Sequence, residues 1–228
     1  MTLWFVTPAF QRFELTAVVL DQRLDVIASL ARQGIEAHVV VVADDENLDL
    51  ARERGMDTVD APNVVSDKFN SGMAYAGEHG AEWIVPIGSD SWIDPAYFAG
   101  LHRGVTRTSQ FYCHVTADRL GEARVRKVGG AGPYVFHRSV LEPSSFRPAA
   151  PGLMRHVDSS TLAGLGPLTF RPFHRHPFQY IGFRQEPYIT SYASLMRLHG
   201  VQEHTDPWAI LARHYPESLV ARAREVLT

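Results

Sequence analysis

At 228 residues, with 45% hydrophobic and 21% charged side chains, the chain has the size and composition of one globular domain, which excludes a disordered tail, a coiled coil or a collagen-like rod. No apolar run reaches the roughly 18–20 residues that cross a bilayer, the start lacks a basic signal-peptide stretch, and the lone Cys113 excludes a disulfide framework, so a cytoplasmic protein without membrane insertion is expected. The net charge of −3 conceals opposed halves: residues 1–100 carry 6 Lys+Arg against 16 Asp+Glu, and residues 101–228 carry 16 against 9.

In chain order, Leu3 to Thr7 is a short apolar run closed by Pro8 and predicts a strand. Leu20, Leu24, Ile27 and Ala31 recur at helical spacing and predict an amphipathic helix ending at Gly34. Val39 to Val42, β-branched throughout and too short for a helix, predicts a buried parallel strand. Asn47 would cap a helix that stops at Gly55, and Thr58-Val59 is a weak third strand. Asp67 to His79 reads as a helix ended by Gly80, and Trp83 to Ile87 as a fourth strand that contains Pro86. Pro95 is placed to begin a helix running to about His102. After residue 104 the alternation breaks down. Gln110 to Thr116 and Tyr134 to His137 predict strands around a loop with Gly129, Gly130 and Gly132, while Pro143 to Pro187 shows little periodicity. Asp206-Pro207 then opens a helical tail interrupted at Pro216.

Strands alternating with helices imply right-handed crossovers and a doubly wound, mostly parallel sheet with its ligand at the carboxyl ends of the strands. Those ends carry Thr7-Pro8, Asp44-Asp45 and Gly88-Ser89-Asp90. The acidic first half suits a cation or the edges of a sugar and base, and the basic second half suits something anionic. No glycine-rich dinucleotide fingerprint, phosphate loop or G-x-S-x-G elbow is present. Cys113 and His114 are neighbours in a predicted strand and point to opposite faces, so they make a poor nucleophile–base pair. A bound nucleotide would therefore be held by carboxylates, a metal and isolated basic groups.

Taken in order, Val6-Thr7-Pro8 with Gln11-Arg12, Val39 to Asp45, Lys68-Phe69-Asn70-Ser71-Gly72 and Trp83 to Pro95 resemble a family 2-like glycosyltransferase with the GT-A fold, over roughly residues 3–100. Beyond that point the resemblance rests on Gly132-Pro133 to Leu141 and on Asp158. It implies a GT-A-type α/β domain with a smaller irregular acceptor-side region and a helical tail. Residues 1–104 would form the nucleotide-sugar-binding half, 105–206 the acceptor and catalytic half, and 207–228 the tail. The implied activity is inverting transfer of a sugar from a nucleotide-sugar, expected to be a UDP-sugar, assisted by Mn²⁺ or Mg²⁺.

The resemblance assigns donor contacts to Thr7, Pro8, Arg12, Asp44, Asp45, Lys68, Asn70, Gly72 and Ser89. In the D-x-D position Gly88 replaces the first aspartate and Asp90 keeps the second, so Asp90 is the expected metal ligand, joined by His174 or His176. Asp158 is the expected general base, with Asp118 as runner-up. Each residue also has a plain structural reading. Asp44-Asp45 and Asp158 suit helix caps, Lys68 a solvated helix end, Asn70 ordinary helix polarity, and the aromatic and basic run from Phe170 to Arg184 a loop with core rings and snorkelling arginines. Gly88 leaves open a catalytically silent nucleotide-sugar-binding module, and a nucleotidyltransferase is a third possibility. The expected acceptor is anionic or polymeric: a modified DNA base, a glycan or a protein side chain. A lipid acceptor is disfavoured because the tail from Pro207 to Leu227 lacks a broad apolar face.

Overall fold

Continuous apolar runs bury both faces of a strand, as in the central strands Thr2–Pro8, Glu36–Ala43 and Trp83–Pro86. In the computed structural model, which describes residues 1–101, 106–124, 133–154, 157–173, 176–184 and 201–228 with the side chains at 158 and 159 set aside, β1 (Thr2–Pro8) lies between two parallel neighbours. These are β2 (Glu36–Ala43) and β4 (Trp83–Pro86), and β3 (Asp57–Asp60) extends the parallel set beyond β2. Alternate residues face opposite layers. Leu3, Phe5, Val39, Val41, Trp83 and Val85 pack with residues of α1 (Phe13–Ala31) and α2 (Asn47–Arg52). Trp4, Val6, Val40, Val42 and Ile84 pack with Met73 and Ala76 of α3 (Val65–Glu78). Pro86 is tolerated because it ends β4, and Ile87 supplies the next amide to Val6.

The first sheet is completed from the second half of the chain. β9 (Tyr134–His137) runs antiparallel on β4, followed outward by β6 (Thr106–Ser109) and β10 (Phe170–Phe173), giving the order β10-β6-β9-β4-β1-β2-β3. After β4 the chain crosses through Ile87 to Asp90 into a second, five-stranded sheet. Its order is β12 (Gln202–His204), β8 (Leu120–Arg124), β7 (Phe111–Val115), β11 (Tyr180–Phe183) and β5 (Ser91–Ile93). The tail closes this layer. Asp206 caps α6 (Pro207–Leu211) by accepting from the Ala209 amide at 3.1 Å, and Leu219, Val220 and Ala223 of α7 (Glu217–Leu227) pack with Leu15, Val18 and Val19 of α1. Trp208 donates to the Ala117 carbonyl and Tyr215 to the Phe178 carbonyl, so the tail is anchored by polar as well as apolar contacts.

Several elements differ from the sequence expectation. Leu24 is 39% exposed, and α1 instead buries Leu15, Val19, Gln22, Arg23, Val26 and Leu30. The apolar stripe misleads because two polar side chains occupy the buried face: Gln22 donates to the Ile93 carbonyl and Arg23 to the Ser91 carbonyl, which hangs β5 on the helix. Pro95 begins only a 3₁₀ turn, Pro95–Phe98, after which Ala99 is extended. Asn47 is the first residue of α2, and the side chain that receives its amide is Asp45. A short helix α4 (Arg138–Leu141) follows β9, and the aperiodic stretch after it contains α5 (Val157–Gly164) and the short strands β10 and β11. Strands of four residues show too few alternations to read as a period.

Gly72 is a packing residue. A Cβ there would stand 2.8 Å from Val42 Cγ2 and closer still to Val6 Cγ1, so the bare backbone lets α3 rest directly on β1 and β2. Gly72→Ala is expected to lower unfolding stability by about 1–3 kcal/mol through overpacking, measured by urea or thermal denaturation. An unchanged midpoint would show that α3 does not lie this close to the sheet.

Candidate functional site

The carboxyl ends of β1, β2 and β4 meet around the loop Ala9–Arg12. Gln11 and Arg12 both adopt left-handed backbone, with φ of 51° and 53°, a conformation that costs non-glycine residues on the order of 1 kcal/mol or more. Asp45 holds them there. Its Oδ2 accepts the Gln11 amide at 2.8 Å, its Oδ1 accepts the backbone and side-chain N–H groups of Asn47 at 3.0 and 2.7 Å, and Asn47 Nδ2 also donates to the Gln11 carbonyl at 3.2 Å. Asp45 is thus a loop organiser.

Lys68 has a similar architectural part. Its ammonium donates to the Ala9 carbonyl at 2.8 Å, Asp44 Oδ1 at 2.9 Å and Asn63 Oδ1 at 3.3 Å, and its side chain is 2% exposed. Three donors meet three acceptors, so the expected contact of Lys68 with a diphosphate is not supported. Asn70 pins the chain at Ala149, donating to its carbonyl and accepting its amide, and Gly72 is consumed by packing. The other expected donor-binding residues lie at or near the sheet edge. Thr7 is buried with its hydroxyl unpartnered among the described residues, Pro8 closes β1, and Ser89 is buried in the crossover. Asp44 is about a third exposed and directs only Oδ1 to Lys68.

Asp90 ends the crossover from the first sheet to the second. Its Oδ2 receives Arg184 Nη1 at 2.8 Å and Arg12 Nη1 at 3.4 Å, and its Oδ1 receives the Ser91 hydroxyl at 3.0 Å. Burial alone would raise the Asp90 carboxyl, but the charges of Arg184 and Arg12 and the Ser91 hydrogen bond outweigh it and hold the group below the usual carboxylate range. Arg184 reaches this position by lying across Gly182, where a Cβ would stand 3.0 Å from Nη2. Its Nη2 is 3.2 Å from His114 Nε2. A guanidinium only donates, so His114 Nε2 accepts and its proton sits on Nδ1, which is buried without a partner among the described residues. Burial, reinforced by Arg184, drives the imidazole down to about 3, and it is neutral at ordinary pH. Arg23 adds a further buried cation; burial lowers it to about 10, which leaves it protonated.

Sequence reasoning singled out Asp90 and Arg12 but missed Arg184, His114 and Arg23 as their partners. The only signal for Arg184 was its place at the end of the aromatic and basic run, and His114 had none, because their meeting depends on the pairing of β11 with both β5 and β7. His176 pairs through Nε2 with Asp94 Oδ2 at 2.9 Å and stacks on His214 at 4.5 Å, so its described partners are these and not Asp90. His174 lies outside the described residues. Asp158 is the second residue of α5, whose Val157 and Thr161 share a small cleft with Pro86 at the exit of β4. Asp118 is exposed and bonded locally to Thr116 and Arg119.

The expected Mn²⁺ or Mg²⁺ does not fit these residues. Hard divalent ions need several oxygen ligands. Among the described residues no three His, Cys, Asp or Glu side chains are grouped to hold a metal, and both Asp90 oxygens already face N–H or O–H donors beneath three guanidinium charges.

The neutral His114 gives a pH signature. Its pKa in the unfolded chain is near 6.5, so between about pH 6.5 and 3 the unfolded state binds a proton that the folded state does not. Folding stability should therefore fall as pH drops through this window, at up to about 1.4 kcal/mol per pH unit from this group. His114→Gln, which keeps an acceptor for Arg184 without titrating, should flatten that part of the curve in urea unfolding across pH. An unchanged slope would mean that His114 is not buried in this form.

No family model and no curated protein matches the chain. Solved structures do. Residues 1–349 of S. aureus TarS superpose with a TM-score of 0.58 at 12% identity, covering 80% of this chain and 60% of that one. The same fragment in complex with UDP-GlcNAc gives a TM-score of 0.56 at 12% identity, covering 82% and 60%. The chain thus spans about 60% of the length of the TarS fragment it matches. At this identity the likeness is one of architecture: the chain has a GT-A-type α/β fold with a mostly parallel central sheet and a helical tail.

Proposed function

We propose that the protein is an inverting glycosyltransferase that moves a sugar from a nucleotide-sugar, a UDP-sugar being the expected donor, to an acceptor hydroxyl. The observation that carries this reading is the convergence of Asp44, Arg12, Asp90 and Arg184 at the carboxyl ends of the parallel strands, where ligands bind in open α/β sheets. Thr7, Pro8, Asp44 and Ser89 would line the nucleoside side, and the arginines the diphosphate side. Asp45, Lys68, Asn70 and Gly72 would support this edge from behind. The complex of TarS with UDP-GlcNAc, a protein of the same fold, supports the choice of donor.

In the proposed reaction Asp158, carried on the first turn of α5 beside the exit of β4, takes the proton of the acceptor hydroxyl as its oxygen bonds to the anomeric carbon. The bond from that carbon to the diphosphate breaks, the electron pair leaves with the nucleoside diphosphate, and single displacement inverts the configuration. The acceptor is proposed to be anionic or polymeric, in keeping with the excess of positive charge after residue 100. Gly88, in place of an acidic residue, favours a second reading as a nucleotide-sugar-binding module without turnover.

Calorimetric titration with UDP, GDP and dTDP, followed by a product assay with the matching nucleotide-sugar, tests the reading. Saturable binding with donor turnover is expected. Binding without turnover would select the silent module, and no binding would remove both. Asp158→Asn should keep donor binding and slow transfer by about 10²–10⁴-fold. A loss confined to about 1 kcal/mol of stability, with transfer intact, would make Asp158 a helix cap instead. Turnover on the preferred acceptor should weaken between roughly 50 and 200 mM salt, and a flat response would exclude an anionic one.

A further inference from the structure

We propose that the guanidinium groups of Arg12 and Arg184 occupy the electrostatic position expected for a divalent cation, so that this protein binds and releases the nucleoside diphosphate without metal. The inference rests on the nucleotide-sugar reading above and concerns the same sheet edge.

Three features of the site point to it. The first is charge. Among the described residues, the Asp90 carboxylate is paired with both Arg12 and Arg184, the buried Arg23 bonds the adjacent Ser91 carbonyl, and His114 contributes no positive charge, so these described groups together carry more positive than negative charge. A dianionic or trianionic diphosphate is drawn to such a site, and a divalent cation is repelled from it. The second is donor capacity. Arg184 Nη1 serves Asp90 and the Phe183 carbonyl and Nη2 faces His114, but Nε is buried without a partner among the described residues. The guanidinium is oriented by its neighbours without being saturated by them, and the planar fork of an arginine matches two phosphate oxygens.

The third feature is space. A Cβ on Gly88 would stand 2.8 Å from Asp90 Oδ1, the oxygen that Ser91 holds. A side chain at position 88 would require Asp90 Oδ1 to shift from the position in which Ser91 holds it, so the bare backbone of Gly88 suits the arginine-paired Asp90. Gly182 completes the accommodation from the second sheet by leaving room for Arg184. Asp90 is then a positioning residue that aims two cations, and the electron pair that departs with the diphosphate oxygen is met by guanidinium charge.

The test is calorimetric titration of the full chain with UDP, in excess EDTA and separately with saturating Mn²⁺. The expected dissociation constants agree within about threefold. Arg184→Gln should weaken binding about tenfold or more in EDTA, with thermal denaturation verifying that the variant is folded. Asp90→Asn should retain saturable binding in EDTA, because it removes a negative charge from an anion site, whereas loss of a metal ligand would abolish metal-dependent binding. Saturable binding that appears only with Mn²⁺ and vanishes in Asp90→Asn overturns this inference and leaves the glycosyltransferase reading standing. EDTA-insensitive binding that a folded Arg184→Gln variant keeps at full strength also overturns it. Absence of nucleotide binding under both conditions defeats the two readings together.

Discussion

The ion cluster Arg12–Asp90–Arg184 joins parts of the chain that are far apart in sequence, and the geometry of the candidate site depends on it. Asp90 lies where the chain leaves the seven-stranded sheet and enters the five-stranded one. Arg12 comes from the loop after β1 and Arg184 from the end of β11, so the carboxylate is contacted from both layers. The largely enclosed Asp90 carboxylate without these partners would face a desolvation cost, and the partly buried Arg184 without it would face a smaller one. The charges offset one another across the junction of the two sheets, which ties the relative placement of the sheets to the site there.

The hydrogen-bond inventory separates architecture from binding edge. Asp45 and Lys68 carry the charges that sequence patterns assign to ligands, yet their donors and acceptors are used inside the fold. What they support is the left-handed backbone at Gln11 and Arg12, and through it the position of the Arg12 guanidinium. Asp44 and Arg184 keep capacity that the fold does not consume. A residue's distance from saturation, and not its charge alone, therefore separates side chains held by the fold from side chains with hydrogen-bonding capacity to spare.

The second layer has its own economy of polar groups. The tail helices cover the five-stranded sheet with Trp208, Leu211, Tyr215 and Leu219, and the polar ends of Trp208 and Tyr215 reach backbone carbonyls. Cys113 is buried in the same layer and its thiol, raised by burial, bonds the Pro177 carbonyl, in keeping with a small core residue and not a nucleophile. Gln22 and Arg23 of α1 hold β5 through its carbonyls, which fixes the strand that follows Asp90.

The sequence by itself determined the parallel strands β1, β2 and β4, the helix α3 and the three strand ends where a ligand would sit, because long two-sided apolar runs and glycine-closed helices are local signals. Gly34 and Gly80 end α1 and α3 in the left-handed conformation their positions imply. It also placed Asp90 at one of those ends, and by family resemblance it singled out both Asp90 and Arg12 as candidates. It misassigned the buried face of α1, since Arg23 and Gln22 are polar residues whose burial is repaid only by carbonyls of β5, about seventy positions away. The strands β10, β11 and β12, of three or four residues, are too short to carry a period and exist because neighbours in the sheet complete their hydrogen bonds. Tertiary structure alone decided that Lys68 turns inward to Asp44, that Arg184 crosses Gly182 to Asp90, and that His114 stays neutral beside it. The physical reason is common to all three: desolvation and pairing are set by which strands lie side by side, and a linear chain does not state that.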